Sequence, residues 1–173
     1  METSQSRQET PVLGVLHFFC GKAGAGKSTL AAKLAKDLGA VLLSEDVMLS
    51  RLFGDQMKVF DDYLRFSRRL KTVVGPLTAE LLAAGRSVVL DFQANTRASR
   101  AWFLSVCGQV GATHVLHYLD TADSTCLQRI AERNVERPEG SHFLSEEDFR
   151  LVTSFFEPPT EEGLNVRVYR EFT

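Results

Sequence analysis

The stretch FFCGKAGAGKSTLAAKL, residues 18–34, constrains the fold of this chain more than any other. It begins inside a continuous apolar run, residues 12–20, which is typical of a strand buried on both faces of a parallel sheet. It ends in a helical pattern, Lys27–Leu38, in which leucines and alanines share one face and Gly39 acts as a stop. A glycine-rich loop lies between them, so the sequence predicts a strand, a tight loop and a helix in direct succession.

The loop itself, residues 21–28, matches the pattern G-x-x-x-x-G-K-[ST] without a mismatch. Glycines let the backbone turn its N–H groups inward around an anion, and the following helix points its positive dipole end at the same place. In such a loop the lysine reaches the β- and γ-phosphates, the serine places a hydroxyl on Mg²⁺, and Thr29 is well placed for the α-phosphate. The predicted nucleotide-binding residues are Gly21, Lys22, Ala23, Gly24, Ala25, Gly26, Lys27, Ser28 and Thr29. The pattern therefore predicts a P-loop NTPase that binds ATP with Mg²⁺.

Beyond this loop the chain alternates between strand and helix patterns. Predicted strands cover residues 12–20, 40–46, 87–92, 113–120 and 165–169, and predicted helices cover residues 27–38, 47–53, 56–70, 77–84, 96–107, 123–135 and 145–156. Such alternation predicts an α/β protein, a three-layer α/β/α sandwich around a five-stranded parallel sheet. With 173 residues, we expect one domain over residues 11–173, preceded by a disordered polar tail over residues 1–10.

Composition and charge exclude several classes of protein. The net charge of −2 gives no overall attraction to nucleic acid or anionic lipid. The three cysteines are scattered, which favours a reducing compartment over a disulfide framework. The four histidines do not suggest a structural metal site, since His114 and His117 lie on opposite faces of their predicted strand. The apolar run near the N-terminus is too short to span a bilayer, so we expect a cytoplasmic protein without a membrane partner.

Two aspartates close predicted strands. Asp46 ends the second strand, in LLSED, and Asp91 ends the third, in VVLD. Ligands gather at the carboxyl ends of the strands in an open parallel sheet. Asp46 is therefore a candidate general base for an attacking hydroxyl, with Glu45 as its rival, and Asp91 matches the Walker B pattern that reaches Mg²⁺. The alternative for each acid is that it only caps a helix or ends a strand.

A set of arginines recurs every four residues near the end of a predicted helix: Arg129, Arg133 and Arg137. Arginine closing over the γ-phosphate lowers the barrier to phosphoryl transfer. Arg133 and Arg137 stand nearest the following loop and are predicted to be catalytic, ahead of Arg129. The alternative is a solvated helix face paired with Glu132 and Glu136.

Other polar and basic residues are candidates for the acceptor side. Asn95, Arg97 and Arg100 follow Asp91 closely and are predicted to bind an anionic substrate weakly, with a salt-bridged turn as the alternative. A separate basic cluster is either substrate-facing or an exposed helix face; it consists of Arg65, Arg68, Arg69 and Lys71.

Exclusion narrows the class of NTPase. The chain lacks the N-K-x-D segment by which GTPases recognise guanine, and Asp91 is followed by Phe92 and Gln93 where motor ATPases usually carry a glutamate. A chain of 173 residues also has no room for the lid domain of ring-forming ATPases. A compact kinase is the leading hypothesis, acting on a hydroxyl of a small molecule or of a nucleic-acid 5′ end. The alternative is an ATP-binding switch, which needs the loop but neither Asp46 nor an acceptor.

With these residues, the chain resembles the small P-loop kinases related to the polynucleotide 5′-hydroxyl kinase domain, zeta toxins and chloramphenicol phosphotransferase. The resemblance covers residues 12–169 and is closest at GKAGAGKST, SEDVMLSRL, DFQANTRASRAW and AERNVERP. It implies the sheet order 2-3-1-4-5, with the Asp91 strand beside the P-loop strand. It also implies Asp46 as the general base and Arg133 and Arg137 as lid arginines.

The same resemblance bears on the acceptor. An arginine soon after the base often meets the acceptor in such kinases, which implicates Arg51. Glu45 stands where polynucleotide kinases often carry a second aspartate, and no long toxin-type insertion is present. The resemblance therefore implies a kinase without naming its acceptor.

Overall fold

The computed structural model of the protein describes residues 12–170. Within that range lie five strands, β1 Val15–Cys20, β2 Val41–Ser44, β3 Val88–Gln93, β4 Thr113–Leu119 and β5 Val166–Tyr169. The same range holds six helices, α1 Lys27–Leu38, α2 Glu45–Phe53, α3 Phe60–Ala83, α4 Arg97–Val110, α5 Asp123–Glu136 and α6 Glu146–Ser154. The predicted disordered tail lies outside the described residues.

All strand pairs are parallel, and the sheet order is β2-β3-β1-β4-β5. The predicted order 2-3-1-4-5 is thus confirmed. The central strand β1 pairs with β3 on one side and β4 on the other, so its backbone is bonded along both edges. The loops that leave the carboxyl ends of β1, β2 and β3 consequently meet at one edge of the sheet, where open α/β folds bind ligands.

The two faces of β1 pack into two separate cores. Leu16 and Phe18 join the core with α3 and α4, where the ring of Phe18 stacks on that of Phe103 at 4.4 Å. Phe19 points to the other face and packs in the core with Leu30 and Ile130, which belong to α1 and α5. The near-continuous apolar character of β1 follows from this burial on both sides, and the predicted three-layer sandwich is confirmed.

A buried chain of hydrogen bonds crosses one face of the sheet. Nδ1 of His17 lies 3.0 Å from Nε2 of His117, whose Nδ1 lies 2.9 Å from the hydroxyl of Tyr169. Burial lowers the pKa of His117 to about 4. His114 packs on the opposite face, against Phe18. No group of three or more His, Cys, Asp or Glu in residues 12–170 is placed to hold a metal ion.

Helix α3 corrects one sequence prediction. Two separate helices were predicted over residues 56–70 and 77–84, but a single helix, α3, runs unbroken through Pro76. An internal proline costs a helix about 3 kcal/mol. Packing offsets this cost, because Val74 and Leu82 are buried on either side of the proline and Gly75 lies against the Trp102 ring of α4.

Helix α2 corrects a second prediction. The second strand was predicted to continue through residue 46, but β2 stops at Ser44, and Glu45 and Asp46 form the first turn of α2. Acidic side chains are favoured there by the positive end of the helix dipole. Asp91 likewise does not end its strand, because β3 continues two residues further, to Gln93.

The C-terminal half follows the prediction more closely. Ser145 caps α6, which was predicted over residues 145–156, and its side chain and that of Asp148 form a capping box. Helix α4, predicted over residues 96–107, begins after its cap, Thr96, and extends three residues past the predicted end. In the described part of the chain, no helix has the length and apolar character needed to cross a membrane.

Candidate active site

The glycine loop between β1 and α1 is shaped by close packing. Gly24 has φ 76°, and a Cβ on it would lie 2.4 Å from the carbonyl oxygen of Cys126 in α5. Gly26 precedes α1 with φ 101°, so the helix begins at Lys27 as predicted. Both positions thus require glycine, one for lack of space and both for the left-handed backbone. The first turn of α1 presents unpaired N–H groups to the loop, as an anion site requires.

Lys27 lies folded over this loop. Its ammonium group donates to the carbonyl oxygens of Gly21, at 2.6 Å, and of Lys22, at 2.8 Å. Burial lowers the pKa of Lys27, and the negative charge of Asp91 opposes that shift. Lys22 instead pairs with the carboxylate of Asp123 at the start of α5. Of the two lysines of the loop, Lys27 is therefore the one that lies over its interior, where phosphate groups would bind.

Asp91 lies beside the loop, where two hydroxyls act on its carboxylate. One belongs to Ser28 in the first turn of α1, and the other to Ser44 at the end of β2. Burial raises the pKa of Asp91, while the hydrogen bond from Ser28, the charge of Lys27 and the bond from Ser44 lower it. A serine hydroxyl beside a carboxylate is a pair of oxygen ligands of the kind Mg²⁺ prefers, so these residues fit the ion.

Asp46 is the second acid at this edge of the sheet. Its pKa is raised to about 6, first by burial and then by the charges of Glu45 and Asp91, while His142 and Arg133 lower it. The structure therefore brings Asp46, from α2, into electrostatic range of Asp91 on β3 and Arg133 on α5. Such a carboxyl is suited to proton transfer near neutral pH.

Glu45, the rival base, has a different environment. Its side chain is buried, and its two carboxylate oxygens accept from the hydroxyls of Ser67 and Tyr63 on α3. The Tyr63 bond is long, at 3.4 Å. These contacts tie α2 to α3, so Asp46 is the acid of this pair with the freer carboxylate.

The three spaced arginines lie on α5 and directly after it. Arg129, ranked below the other two from sequence, donates to the carbonyl oxygen of Ala25 in the loop at 3.1 Å. Nε of Arg133 is buried and lacks a hydrogen-bond partner among residues 12–170. Arg137 ends the helix in a left-handed conformation, with φ 48°. The four-residue spacing already indicated that Arg129 shares a helix face with Arg133 and Arg137, which were ranked above it because they stand nearest the following loop.

A cavity of about 360 Å³ opens at the end of α5. It is lined by Arg133, Asn134, Arg137, Ser141, His142 and Phe143. The described residues supply no ion pair to Arg133 or Arg137. This leaves both predicted lid arginines beside an open space of positive character.

The loop after α5 packs on both ends of α2. A Cβ on Gly140, which has φ 78°, would lie 2.9 Å from the carbonyl carbon of Asp46. Nε and Nη2 of Arg51 donate to the two carboxylate oxygens of Glu139, at 2.7 Å and 3.0 Å. The predicted acceptor arginine is thus engaged by the loop, on the protein surface.

Among the residues after Asp91, Arg100 requires a correction. It is only 1% exposed, and its guanidinium group donates to both carboxylate oxygens of Glu161 and to the carbonyl oxygens of Ala94 and Glu157. This network uses its donors inside the protein, so Arg100 does not face a substrate. The sequence left a salt-bridged turn open as the alternative for Arg100, but it could not identify the partner because Glu161 lies 61 positions away.

The two neighbours of Arg100 also contact protein groups. The backbone N–H of Arg97 donates to Glu157 at 2.7 Å, and its side chain donates to the hydroxyl of Thr160 at 3.3 Å. Oδ1 of Asn95 accepts from the backbone N–H of Gly21 at 2.9 Å. Asn95 therefore lies at the nucleotide loop.

The basic cluster of α3 lies on an exposed helix face. Arg65 pairs with Asp62 one turn away and lies over the ring of Phe66. Lys71 lies 5.3 Å from the ring centre of Trp102. These contacts favour the interpretation as a solvated face.

Comparison with known proteins agrees with this geometry. The family model AAA_33, described as AAA domain, matches residues 16–159. No curated protein matches the chain by sequence.

Solved structures share the fold. A "putative kinase" from Chloroflexus aurantiacus superposes with a TM-score of 0.72 and 20% identity, covering 91% of this chain and 85% of that one. The APS kinase CysC of Mycobacterium tuberculosis, in complex with AMPPNP and APS, gives 0.59 and 22%, covering 94% and 92%. A chain of the Pnkp1/Rnl/Hen1 RNA repair complex gives 0.67 and 19%, covering 87% of this chain and 46% of that one. At these identities the likeness shows a P-loop kinase fold.

Proposed function

The chain belongs to the AAA_33 family of AAA domains, and on that premise we propose that it is an ATP- and Mg²⁺-dependent kinase. In this proposal it transfers the γ-phosphate of ATP to a hydroxyl group of a small molecule or of a nucleic-acid 5′ end. One domain, residues 11–173, carries both the donor and the acceptor side.

The observation that carries the proposal is the environment of Asp46. A carboxyl with its pKa raised to about 6 is ionised at neutral pH yet still basic enough to take a proton. The charges of Asp91 and Arg133 act on the pKa of Asp46. Asp91 is the predicted Mg²⁺ ligand and Arg133 is predicted to contact the γ-phosphate. A protein that only bound ATP would have no need of a tuned base at this place.

The donor side binds the triphosphate. The N–H groups of the loop and of the first turn of α1 surround the phosphates, and Lys27 moves from the carbonyls of Gly21 and Lys22 to the β- and γ-phosphates. Ser28 and Asp91 would hold Mg²⁺, which when bound neutralises negative charge on the phosphates. The influence of the Ser28 hydroxyl on the pKa of Asp91 supports this pairing.

The acceptor side activates the hydroxyl. Asp46 accepts its proton while the acceptor oxygen bonds to the γ-phosphorus and the bond from that phosphorus to the ADP oxygen breaks. Arg133 and Arg137 stabilise the charge on the γ-phosphate, and Arg129 holds the loop through the carbonyl of Ala25. The products are the phosphorylated acceptor and ADP.

The names of the structural neighbours support a broad search for the acceptor. One was solved with a small molecule, APS, and another belongs to an RNA repair complex. Both a small metabolite and an RNA end therefore belong in the screen.

The test combines γ-labelled ATP with a panel of hydroxyl compounds and nucleic-acid 5′ ends. We expect one class of acceptor to become labelled by the wild-type protein, and Asp46→Asn to lower transfer by about 10²–10⁴ with ATP binding nearly intact. Asp55→Asn makes the same change at an exposed position after α2 and is the matched control. Full transfer by Asp46→Asn would refute the assignment of the base. ATP binding without a labelled product from any acceptor would favour the ATP-binding switch.

A further inference from the structure

A chain of hydrogen bonds runs from the C-terminal part of the protein to the first glycine of the nucleotide loop. We name residues 157–161 the C-terminal strap. Asn95 lies between the two, since its side chain accepts from the N–H of Gly21 and its backbone carbonyl accepts from the N–H of Glu157, both at 2.9 Å. We propose that Asn95 is a positioning residue that holds the start of the loop in its phosphate-binding shape, and that the strap acts on the loop through it.

Gly21 links Asn95 to Lys27 through its backbone N–H and carbonyl groups. Its N–H is bonded to Asn95, and its carbonyl oxygen accepts from the ammonium group of Lys27 at 2.6 Å. On the third side a Cβ would lie 2.8 Å from the carbonyl oxygen of Leu119. The position of Gly21 therefore influences where the ammonium group of Lys27 lies. Within the described residues, the side chain of Asn95 makes a single hydrogen bond, and that bond holds the N–H of Gly21.

The strap is built to hold Asn95 firmly. Arg100 donates to the carbonyl oxygen of Ala94, immediately before Asn95, and to that of Glu157, at the start of the strap. Its guanidinium group also makes a bidentate ion pair with Glu161, with N–O distances of 2.7 Å and 3.1 Å. A buried arginine with both a carboxylate and carbonyl acceptors locks the segments it joins into one unit.

A purely structural role for Asn95 would have a different signature. It would lower the melting temperature without changing the affinity of the folded protein for ATP. A positioning role predicts weaker ATP binding in a protein that is still fully folded, because the N–H of Gly21 then lacks its acceptor and the loop leaves its binding shape.

The experiment is a double-mutant cycle on ATP affinity, and it rests on the proposed ATP binding. Calorimetric Kd values for ATP with Mg²⁺ are measured for the wild-type protein, Asn95→Ala, Glu161→Gln and the double variant, well below their melting temperatures. We expect about a tenfold loss for Asn95→Ala, a smaller loss for Glu161→Gln, and no further loss in the double variant. Glu162→Gln removes a neighbouring exposed carboxylate and should bind ATP as the wild-type protein does.

Each other result has a definite meaning. Wild-type affinity in Asn95→Ala would overturn the inference alone, and additive losses in the double variant would overturn the role of the strap. A wild-type protein that fails to bind ATP would overturn the proposed function and this inference with it. Asn95→Ser, whose shorter side chain does not reach Gly21, serves as a second variant if Asn95→Ala fails to fold.

Discussion

The donor side and the acceptor side of the site are built differently. On the donor side, Lys27 donates two short hydrogen bonds to carbonyl oxygens of the loop, and its charge and the hydroxyl of Ser28 act on the carboxylate of Asp91. On the acceptor side, the tie between α2 and the loop after α5 is an exposed ion pair, Arg51 with Glu139. A cradle for a triphosphate must be preorganised, whereas an acceptor site must open for its substrate. The difference predicts that changes on the donor side act strongly and that changes at the exposed edge of the acceptor side act weakly.

The largest effect is expected at Lys27. Lys27→Ala removes the ammonium group that reaches the β- and γ-phosphates, so ATP affinity should fall by about 10²–10³. The measurement is the Kd for ATP with Mg²⁺, together with the melting temperature, because the variant also leaves the carbonyls of Gly21 and Lys22 without their donor.

Lys33→Ala is the matched control for this change. Lys33 belongs to the same helix, and its ion pair with Asp37 is exposed, so the loss of this pair changes the stability of the protein little. It should bind ATP as the wild-type protein does. Equal affinities in the two variants would remove the contrast between a built donor cradle and an ordinary surface.

An intermediate effect on kcat/KM is expected from a change of pH. It tests Asp46, the acceptor-side base whose pKa is also shifted by the donor-side charge of Asp91. Asp46 must be ionised to accept a proton, and its pKa is raised to about 6. We therefore expect kcat/KM to be flat above pH 7 and to fall about tenfold per unit below pH 6. The profile is measured with whichever acceptor the labelling screen identifies.

The same raised pKa of Asp46 also affects stability. Ionisation of Asp46 is needed for activity, but it lowers the free energy of unfolding. The folded protein holds the proton of Asp46 more tightly than the unfolded chain, whose carboxyl has a pKa near 3.8. Ionisation of Asp46 therefore costs folding free energy above pH 6, up to about 3 kcal/mol. Asp46→Asn should raise the free energy of unfolding at pH 8 and not at pH 3. A rate profile with its midpoint near pH 4, and no gain in stability, would contradict the buried base.

The two sides also differed in how far the sequence could predict them. The donor side is encoded in adjacent residues, because eight consecutive positions fix both the shape of the loop and its chemistry. The sheet order was predictable too, from a resemblance carried by the same motifs, and it was confirmed. The apolar runs also located the two strands that are mostly buried, β1 and β3, since such strands of a parallel sheet read as continuous apolar runs.

What was missed depends on contacts between distant positions. Arg100 looked like a substrate ligand because its partner, Glu161, is far away in sequence. Helix α3 was predicted as two helices because the low helix propensity of Pro76 takes no account of the packing of α3 on α4. The contact of Arg129 with Ala25 spans 104 positions. The acceptor side consists mostly of such contacts, which explains why its substrate was not predicted.

The smallest effect is expected at the exposed ion pair of Arg51 and Glu139, and here two variants sharpen the comparison. If Arg51 meets the acceptor, Arg51→Ala should raise the acceptor KM by a few-fold, while Glu139→Ala should leave it unchanged or lower it, because the arginine is then released for substrate. Steady-state KM values at saturating ATP provide the measurement. If the pair only fastens the loop to α2, both variants break the same contact and should shift KM equally. Equal shifts would therefore remove Arg51 from the acceptor side and leave Asp46 as the acceptor residue on α2.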